Sequence, residues 1–597
     1  MFNHPGETLA NVLLIDLDNL NFRVRPRPDL FLDGLGGTGV GIRLLEEYCP
    51  KGADPLGPEN PIIFTVGPLV GHYPLASKTT ALYKSPHTGN LGESHAGGRS
   101  AVAIRMAGYG AIVIQGRSKL PVYICVEEDK VYFKDASALW GMRSSYTVGS
   151  VIRGRESGSG LRSIMRIGRA GENQVSYACV TTETYRHFGR LGLGAVFGSK
   201  NLKALLISGR RSLPVADRRS YRKTYDEIFQ AATESSLMKK YHDLGTAMNI
   251  NPLNQISGLP TRNLQAGFFE EAEEISGENL AENYLGRRVA CAHCPVACIH
   301  LAALRIRYPN DPYFYKTMML GYDHELIYAM GSMLGIGDVQ GMLQLIDEAE
   351  IQGLDVMSAG VTLAWATEAL EKDLITVEDL DGLDLVWGDA QTYIKALRKI
   401  VNRPTECYQA LARGVDHASG IYGGREFALA FGGNEMPGYH TGPASHLGYL
   451  SGARHSHLDS AGYSLDQKTL ADNGELNPEK TARELWEEES WRQILSSLVI
   501  CFFARKVYSP EVVQQALKTV GIDRSVSELH KMGEDILLRK HQFKIREGFD
   551  LNQQRIPERI LETPSSLGLV KEDFMREVLN QVSSKINKGG KKQSGKI

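Results

Sequence analysis

A chain of 597 residues with 42% hydrophobic and 23% charged residues has the make-up of a soluble globular protein. At ~150 residues per domain it exceeds a single core and implies two to four domains. Its 67 basic and 69 acidic residues leave a formal charge of −2, which excludes a global field for nucleic acid or an anionic membrane. No apolar run reaches the ~18 residues of a membrane span. The opening Met1-Phe-Asn-His-Pro-Gly-Glu7 lacks the basic-then-apolar order of a secretory signal, and eight cysteines in so long a chain suit a reducing compartment. A cytoplasmic protein without a membrane span is the expectation.

The first third reads as β-rich and full of glycine. Val12-Leu-Leu-Ile-Asp16 and Asn21-Phe-Arg-Val-Arg25 predict a hairpin turning at Asp18-Asn19. Leu35-Gly-Gly-Thr-Gly-Val-Gly41 runs into Ile42-Arg-Leu-Leu, a glycine loop opening a helix, whose backbone N–H groups could face a phosphate. Asp29-Leu-Phe-Leu-Asp33 is too poor a strand for the dinucleotide-binding alternative. Ile62-Ile-Phe-Thr-Val66 and Ala111-Ile-Val-Ile-Gln115 predict buried strands, and Val122 to Val126 pairs with Val131-Tyr-Phe133 across Glu127 to Lys130. Between them, Lys84 to Arg99 is dense in small and hydrogen-bonding residues and reads as a ligand-wrapping loop, with a surface turn cluster as the bland alternative. Phe188-Gly-Arg190-Leu-Gly192-Leu-Gly194 to Lys203 is a second such loop. Two of them argue for one large anionic ligand.

After Arg210 the pattern becomes helical: Tyr221 to Leu237, Leu280 to Leu285, Tyr328 to Gly335, Gln340 to Gln352, Ser358 to Lys372 and Asp389 to Val401 suit amphipathic or buried helices. Thr376-Val-Glu-Asp379 reads as a further helix start. The last third holds the glycine-rich Gly414 to Gly424 and a histidine-rich stretch from Tyr439 to Asp466, then returns to helices from Pro478. The basic, apolar-poor tail from Lys588 is expected to be disordered.

The middle of the chain carries Cys291-Ala-His-Cys294-Pro-Val-Ala-Cys298, three thiols at C-x₂-C-x₃-C spacing. So close a set suits one metal centre rather than a disulfide framework, and a fourth ligand must come from elsewhere. A [4Fe–4S] cluster is favoured because soft thiolates suit iron–sulfur chemistry and Pro295 sits where a proline often follows a cluster cysteine. Zinc, completed by His293 or His300, is the rival. A radical-SAM cluster wants the opposite order of spacings, and three unliganded core thiols are the bland alternative. Cys49, Cys125, Cys179 and Cys407 read as small buried hydrophobes.

Three pieces of the chain together resemble one family, the tungsten-containing aldehyde:ferredoxin oxidoreductases. They are the run from Gly36 through Thr65-Val-Gly-Pro-Leu69, Lys84-Ser-Pro86 and Ser94-His-Ala-Gly-Gly98 to Ala107-Gly-Tyr-Gly110; the loop Gly189 to Lys203; and the cysteine motif, whose distant fourth member is matched by Cys501. The resemblance implies an α+β fold: a β-rich N-terminal base domain, residues 1–210, followed by two mainly α-helical domains, 211–415 and 416–597, enclosing a buried metal–pterin site. It implies a tungsten bis-pterin cofactor, with molybdenum as the alternative metal, magnesium bridging the pterin phosphates, and a [4Fe–4S] cluster on Cys291, Cys294, Cys298 and Cys501. Lys78, Ser94, His95, Gly97, Gly98, Arg190, Gly192 and Gly194 are the implied cofactor-binding residues of the base.

The family's D-x-x-G-L motif appears as Glu350-Ile-Gln-Gly353-Leu354, with glutamate for aspartate. Its second copy reads Ser496-Ser-Leu-Val-Ile-Cys501, without acid or glycine, leaving Ser496 as acceptor. The implied chemistry is oxidation of an aldehyde to a carboxylic acid, with electrons passed through the cluster to ferredoxin or an iron–sulfur partner subunit in a homo- or hetero-oligomer. For proton transfer the family uses a glutamate and a histidine. Glu325 matches the first, and His457 is preferred over His455 for the second, with His440 in reserve; on a strand 455 and 457 would share a face. An aromatic acyl-CoA reductase of benzoyl-CoA reductase type is the second hypothesis and a zinc-organised scaffold the third.

Overall fold

The computed structural model describes residues 7–594 apart from residues 159, 183–184, 216 and 309. The base is built from two six-stranded mixed sheets. The first runs in the order Asn21–Pro26, Asn11–Asp16, Ala111–Gln115, Ile62–Thr65, Thr79–Lys84, Leu91–Ala96, with Asn11–Asp16 parallel to Ala111–Gln115 and every other pair antiparallel. The second runs His187–Phe188, Val180–Thr181, Leu161–Arg166, Leu202–Gly209, Val122–Glu127, Lys130–Asp135, with only Leu202–Gly209 and Val122–Glu127 parallel. The continuous apolar runs Ile62–Thr65 and Ala111–Gln115 occupy central places, as strands covered on both faces must. Helix Gly37–Tyr48 packs on the first sheet and helix Ser100–Ala107 on the second.

The helical remainder follows its capping residues. Asp338, Asp355 and Asp389 each accept backbone N–H groups at the starts of Val339–Gln352, Val356–Glu371 and Ala390–Asn402, and Asn477 does so for Pro478–Ser497. One buried apolar cluster runs unbroken from Leu9 to Ile586, so base and helices share a core. No helix among the described residues is long and apolar enough to cross a membrane.

Five features depart from the sequence reading. Leu91–Ala96, inside the stretch read as a loop, is the edge strand of the first sheet, because all six residues find partners on Thr79–Lys84. A three-stranded antiparallel sheet, Leu285–Val289, Ile299–Tyr308 and Asp311–Tyr322, stands within the helical region. Its inner half is buried on both faces and so shows no alternation. The helix expected over 328–335 is instead His324–Met330, capped by Asp323 and stopped at Gly331, which brings Glu325 into a first turn. Thr376 and Asp379 bond one another but close only a turn. Of the tail expected to be disordered, 588–594 is helical, as the end of Glu572–Ser594, and 595–597 lie outside the described residues. A Cβ on Gly589 would meet Leu538 at 2.5 Å, so the glycine permits that docking.

Candidate active site and cysteine centre

Where the edge of the first sheet, the loop 185–191 and the helical region meet, the chain encloses a cavity of about 320 Å³. Lys78, Ser94, His95 and Gly97 come to it from the strand pair Thr79–Lys84 and Leu91–Ala96. Asp323 to Glu325 arrive on the first turn of His324–Met330, and Glu350, Leu354 and Asp355 from the junction of two helices. Tyr439, Arg454 and Ser456 to Leu458 also line the cavity.

Glu325 and His457 meet there. The Glu325 Oε1 lies 3.4 Å from His457 Nε2, and its Oε2 accepts the Gly438 N–H at 3.1 Å. Burial pushes the Glu325 carboxyl up to about 8 and holds the His457 imidazole well below its ordinary value, with the Arg190 charge adding to the latter. At neutral pH the pair is therefore an acid and a base that are both uncharged. His457 rests against Tyr439, ring centroids 5.3 Å apart. His457 opens the short helix His457–Ser460, whereas His455 has φ +55° and turns away: its Nδ1 meets Tyr449 O at 2.8 Å and its Nε2 the Lys544 Nζ at 2.7 Å. The two histidines thus share neither a strand nor a face. His440, the reserve candidate, is buried elsewhere, bonded to His446 at 2.9 Å and to Thr563 O at 3.0 Å.

The cavity wall suits a large anion. Lys78, Arg186, Arg190, Arg454, Arg492 and Arg505 all line it. Arg190 gives Nη2 to Glu435 O at 2.6 Å and approaches Asp355 at 3.4 Å, while its Nη1 is buried without a partner, as are Arg186 Nε and His187 Nε2. Buried donors of this kind are costly unless a ligand satisfies them, so the residues fit a phosphate-bearing group. His95 bonds Glu93 at 2.7 Å, and burial drops it to about 4. Glu350 accepts the Tyr146 hydroxyl and is raised to about 7 by burial.

Not every glycine expected at the ligand is there. The N–H of Gly37 goes to Val66 O and that of Gly39 to Ser497 Oγ. A Cβ on Gly37 would stand 2.0 Å from Ser496 O, so this loop is a close crossing with the end of Pro478–Ser497, not a phosphate cradle. Ser496 belongs to that crossing and does not line the cavity. A Cβ on Gly192 or Gly194 would stand 2.0 Å from Ser176 O or 2.5 Å from Cys179 O, and one on Gly353, at φ +78°, 2.9 Å from Gly168 N. These three place Arg190, Leu191 and Leu354 instead of touching the cavity themselves.

The cysteine centre adjoins the same wall. Cys291, Cys294 and Cys298 lie in the loop between Leu285–Val289 and Ile299–Tyr308, and Cys501 follows Pro478–Ser497. Leu75 holds the two together: its N–H donates to His293 O at 3.1 Å and its carbonyl accepts the Cys501 N–H at 2.9 Å. Gly98 O accepts the Ala292 N–H at 2.8 Å, and a Cβ on Gly97 would stand 2.8 Å from Cys291 Sγ. Burial raises the Cys294 thiol, with the other three thiols adding to it, and burial raises Cys298 to about 11 against the pull of Arg186. Among the described residues no three His, Cys, Asp or Glu side chains form a site for a single metal ion. Both ring nitrogens of His300 already face carbonyls, of Cys298 at 3.2 Å and His242 at 3.0 Å.

Arg186 links centre and cavity, with Nη2 4.0 Å from Cys298 Sγ and Nη1 3.5 Å from Asp323. The sequence reading passed over it, although it stands two residues before the Phe188 loop. Leu75 offered no signal, since its role is a backbone one.

The N-terminal domain model of aldehyde ferredoxin oxidoreductase matches residues 12–209, and the model of domains 2 and 3 of the same enzyme matches 223–585. Tungsten-containing aldehyde ferredoxin oxidoreductases of Thermococcus kodakarensis and Pyrococcus furiosus are 33% and 31% identical to the chain, each over 89% of it and 88% of their own length. The WOR-like subunit of an aliphatic sulfonate oxidoreductase from Pyrococcus furiosus is 32% identical over 66% of the chain and 64% of its own length. A chain of the active site complex BamBC of benzoyl coenzyme A reductase superposes with a TM-score of 0.82 at 21% identity, over 97% of this chain and 94% of that one, a likeness of fold.

Proposed function

The chain belongs to the aldehyde ferredoxin oxidoreductase family and is an oxidoreductase, and from that premise we propose that it oxidises an aldehyde to the carboxylic acid in the cytoplasm. In this reading the cavity holds a tungsten bis-pterin with its magnesium, or the molybdenum equivalent. Cys291, Cys294, Cys298 and Cys501 hold a [4Fe–4S] cluster, and ferredoxin or an iron–sulfur subunit takes the electrons. The observation that carries the reading is the Glu325–His457 pair, 3.4 Å apart, on a cavity wall that Arg186 joins to Cys298 of the cysteine centre. Arg190, Lys78 and Arg454 would hold the pterin phosphates.

The overall change is RCHO + H₂O → RCOOH + 2 e⁻ + 2 H⁺. When bound, the metal–pterin group supplies the two-electron sink, and the cluster passes the electrons on singly. The residues of the chain manage the protons. His457, kept neutral by its burial, offers Nε2 to the proton released as water adds to the carbonyl carbon. Glu325, protonated at neutral pH, offers a hydrogen bond to the carbonyl oxygen from Oε1, which is buried and makes no hydrogen bond. Tyr439 sets the imidazole plane from behind. A second reading, reduction of an aromatic acyl-CoA, is favoured by the ring-lined wall where Tyr439 stacks on Tyr463 with centroids 4.4 Å apart.

The test is metal analysis of anaerobically purified protein followed by an aldehyde panel with viologen as acceptor. Tungsten and iron with aldehyde turnover are expected. Metal-replete protein that turns over no aldehyde but reduces an aromatic acyl-CoA would transfer the case to the second reading, and zinc alone would remove both.

A further inference from the structure

We propose that the outer half of the hairpin Ile299–Tyr308 and Asp311–Tyr322 is a docking arm for an acidic iron–sulfur electron carrier, which it steers to the four-cysteine centre; the proposal rests on the redox reading above. Cys298 is the residue before the first strand, so the arm grows directly out of the cysteine loop. The strands pair from His300 with Tyr322 to Tyr308 with Asp311. Their inner ends, Ile299 to Ala302 and Leu320 to Tyr322, are buried, but from the pair Arg305 and Thr317 outward every described side chain except the half-buried Ile306 is exposed.

Four large rings stand in water there: Tyr308, Tyr313, Phe314 and Tyr315 are 49%, 88%, 63% and 50% exposed. A two-stranded ribbon is marginally stable alone, and so many rings on one exposed element mark a surface that a partner covers. Rings with a polar tip suit a contact that forms and dissolves.

Charge selects the occupant. The arm carries exposed Arg305, Arg307 and Lys316 against one acid, Asp311, and the adjoining strand adds exposed Arg287 and Arg288. Arg307 lies on the Tyr315 ring, 5.6 Å from its centroid, so rings and cations form one surface. The complement is an acidic surface, which also speeds encounter with a partner that must come and go. A second copy of this chain is disfavoured, because a two-fold contact through the arm would set these cations against one another. The carrier belongs beside the arm's base. Ten residues of strand reach about 30 Å, too far from the thiols for the outer end to carry electrons, whereas the four cysteines are half-buried and Lys506 and His293 beside them are exposed. The arm grips, and the base receives.

The test uses holoenzyme and two variants of the full chain, one with Tyr313→Ser, Phe314→Ser and Tyr315→Ser, the other with Arg305→Glu and Arg307→Glu. The probe is an acidic bacterial-type [4Fe–4S] ferredoxin, assayed as acceptor and titrated for binding at low and high salt. We expect the apparent KM and Kd for ferredoxin to rise about tenfold or more in both variants, with the salt dependence blunted in the second and viologen-linked turnover within about twofold of wild type. Unchanged ferredoxin KM and Kd would overturn the proposal. So would variants that only shift from dimer to monomer, which would make the arm a contact between copies. Viologen-linked turnover reports the aldehyde reading separately: were it absent from the wild type, the binding titration would still decide the arm.

Discussion

Glu325 shows how position sets chemistry. It is protonated in the folded state up to about pH 8 but in the unfolded chain only to about 4.5. Between those values the folded state holds the additional proton, so stability falls as pH rises through that window, by up to about 1.4 kcal/mol per pH unit. Glu325→Gln keeps the acceptor for the Gly438 N–H and removes the ionisation. Its thermal midpoint in metal-free protein should match the wild type at pH 5 and exceed it at pH 8; equal differences at both values would contradict the shift. In holoenzyme the same change should lower turnover by about 10²-fold or more with metal content unchanged. Gly97 acts by having no side chain, since a Cβ would stand 2.8 Å from Cys291 Sγ. Gly97→Ala should therefore lower iron per chain, with Gly154→Ala, whose Cβ meets nothing within 4 Å, as the neutral control. Full iron in Gly97→Ala would show that the thiol has room to move.

Among the elements, the helix Val339–Gln352 delivers Glu350 and the turn to Leu354, and its two ends are held differently. At its start Asp338 accepts the Gln340 and Gly341 N–H groups at 3.1 and 2.8 Å. At its end Gly353 adopts φ +78° against the backbone of Gly168. Asp338→Ala should cost about 1 kcal/mol, read as a lower urea midpoint, with bound pterin unchanged. Gly353→Ala should lower pterin content as well, because both the positive φ and the 2.9 Å approach displace Leu354 and Asp355. If the two variants lose stability alike and both keep full pterin, the turn does not position the site. Legibility divided along the same line. The helices Val339–Gln352 and Val356–Glu371 were readable because their apolar period is a local signal, though the caps Asp338 and Asp355 were not singled out, whereas the hairpin Ile299–Tyr308 and Asp311–Tyr322 was passed over because burial on both faces of its inner half erased the alternation.

At the scale of the whole molecule, the cysteine centre is a junction of distant segments. Leu75 of the base bonds both His293 of the cysteine loop and Cys501 beyond the helix Pro478–Ser497. A metal centre on all four thiols would add a covalent tie to those hydrogen bonds. Cys501→Ala should accordingly lower iron content and slow ferredoxin reduction while tungsten remains, and it should lower the thermal midpoint of holoenzyme; full iron with wild-type electron transfer would remove Cys501 from the ligand set. Spacing alone pointed to a metal centre at Cys291, Cys294 and Cys298, because those thiols lie within a few residues of each other. The order of motifs likewise identified the family before any coordinates. The resemblance already preferred His457 to His455, and three dimensions supplied the reason together with two arrangements that no motif carries. His457 rather than His455 faces Glu325 because His455 takes a left-handed turn toward Lys544. The glycines at 37, 192 and 194 serve close backbone crossings rather than a ligand, and Arg186 bridges the thiols to the cavity. The sequence by itself determined the central strands, most of the long helices, the cysteine set and the family, since each is written in neighbouring residues or in recurring short motifs. Which side chains face one another across the cavity depended on the packing of distant segments, and a chain pattern records that only as burial.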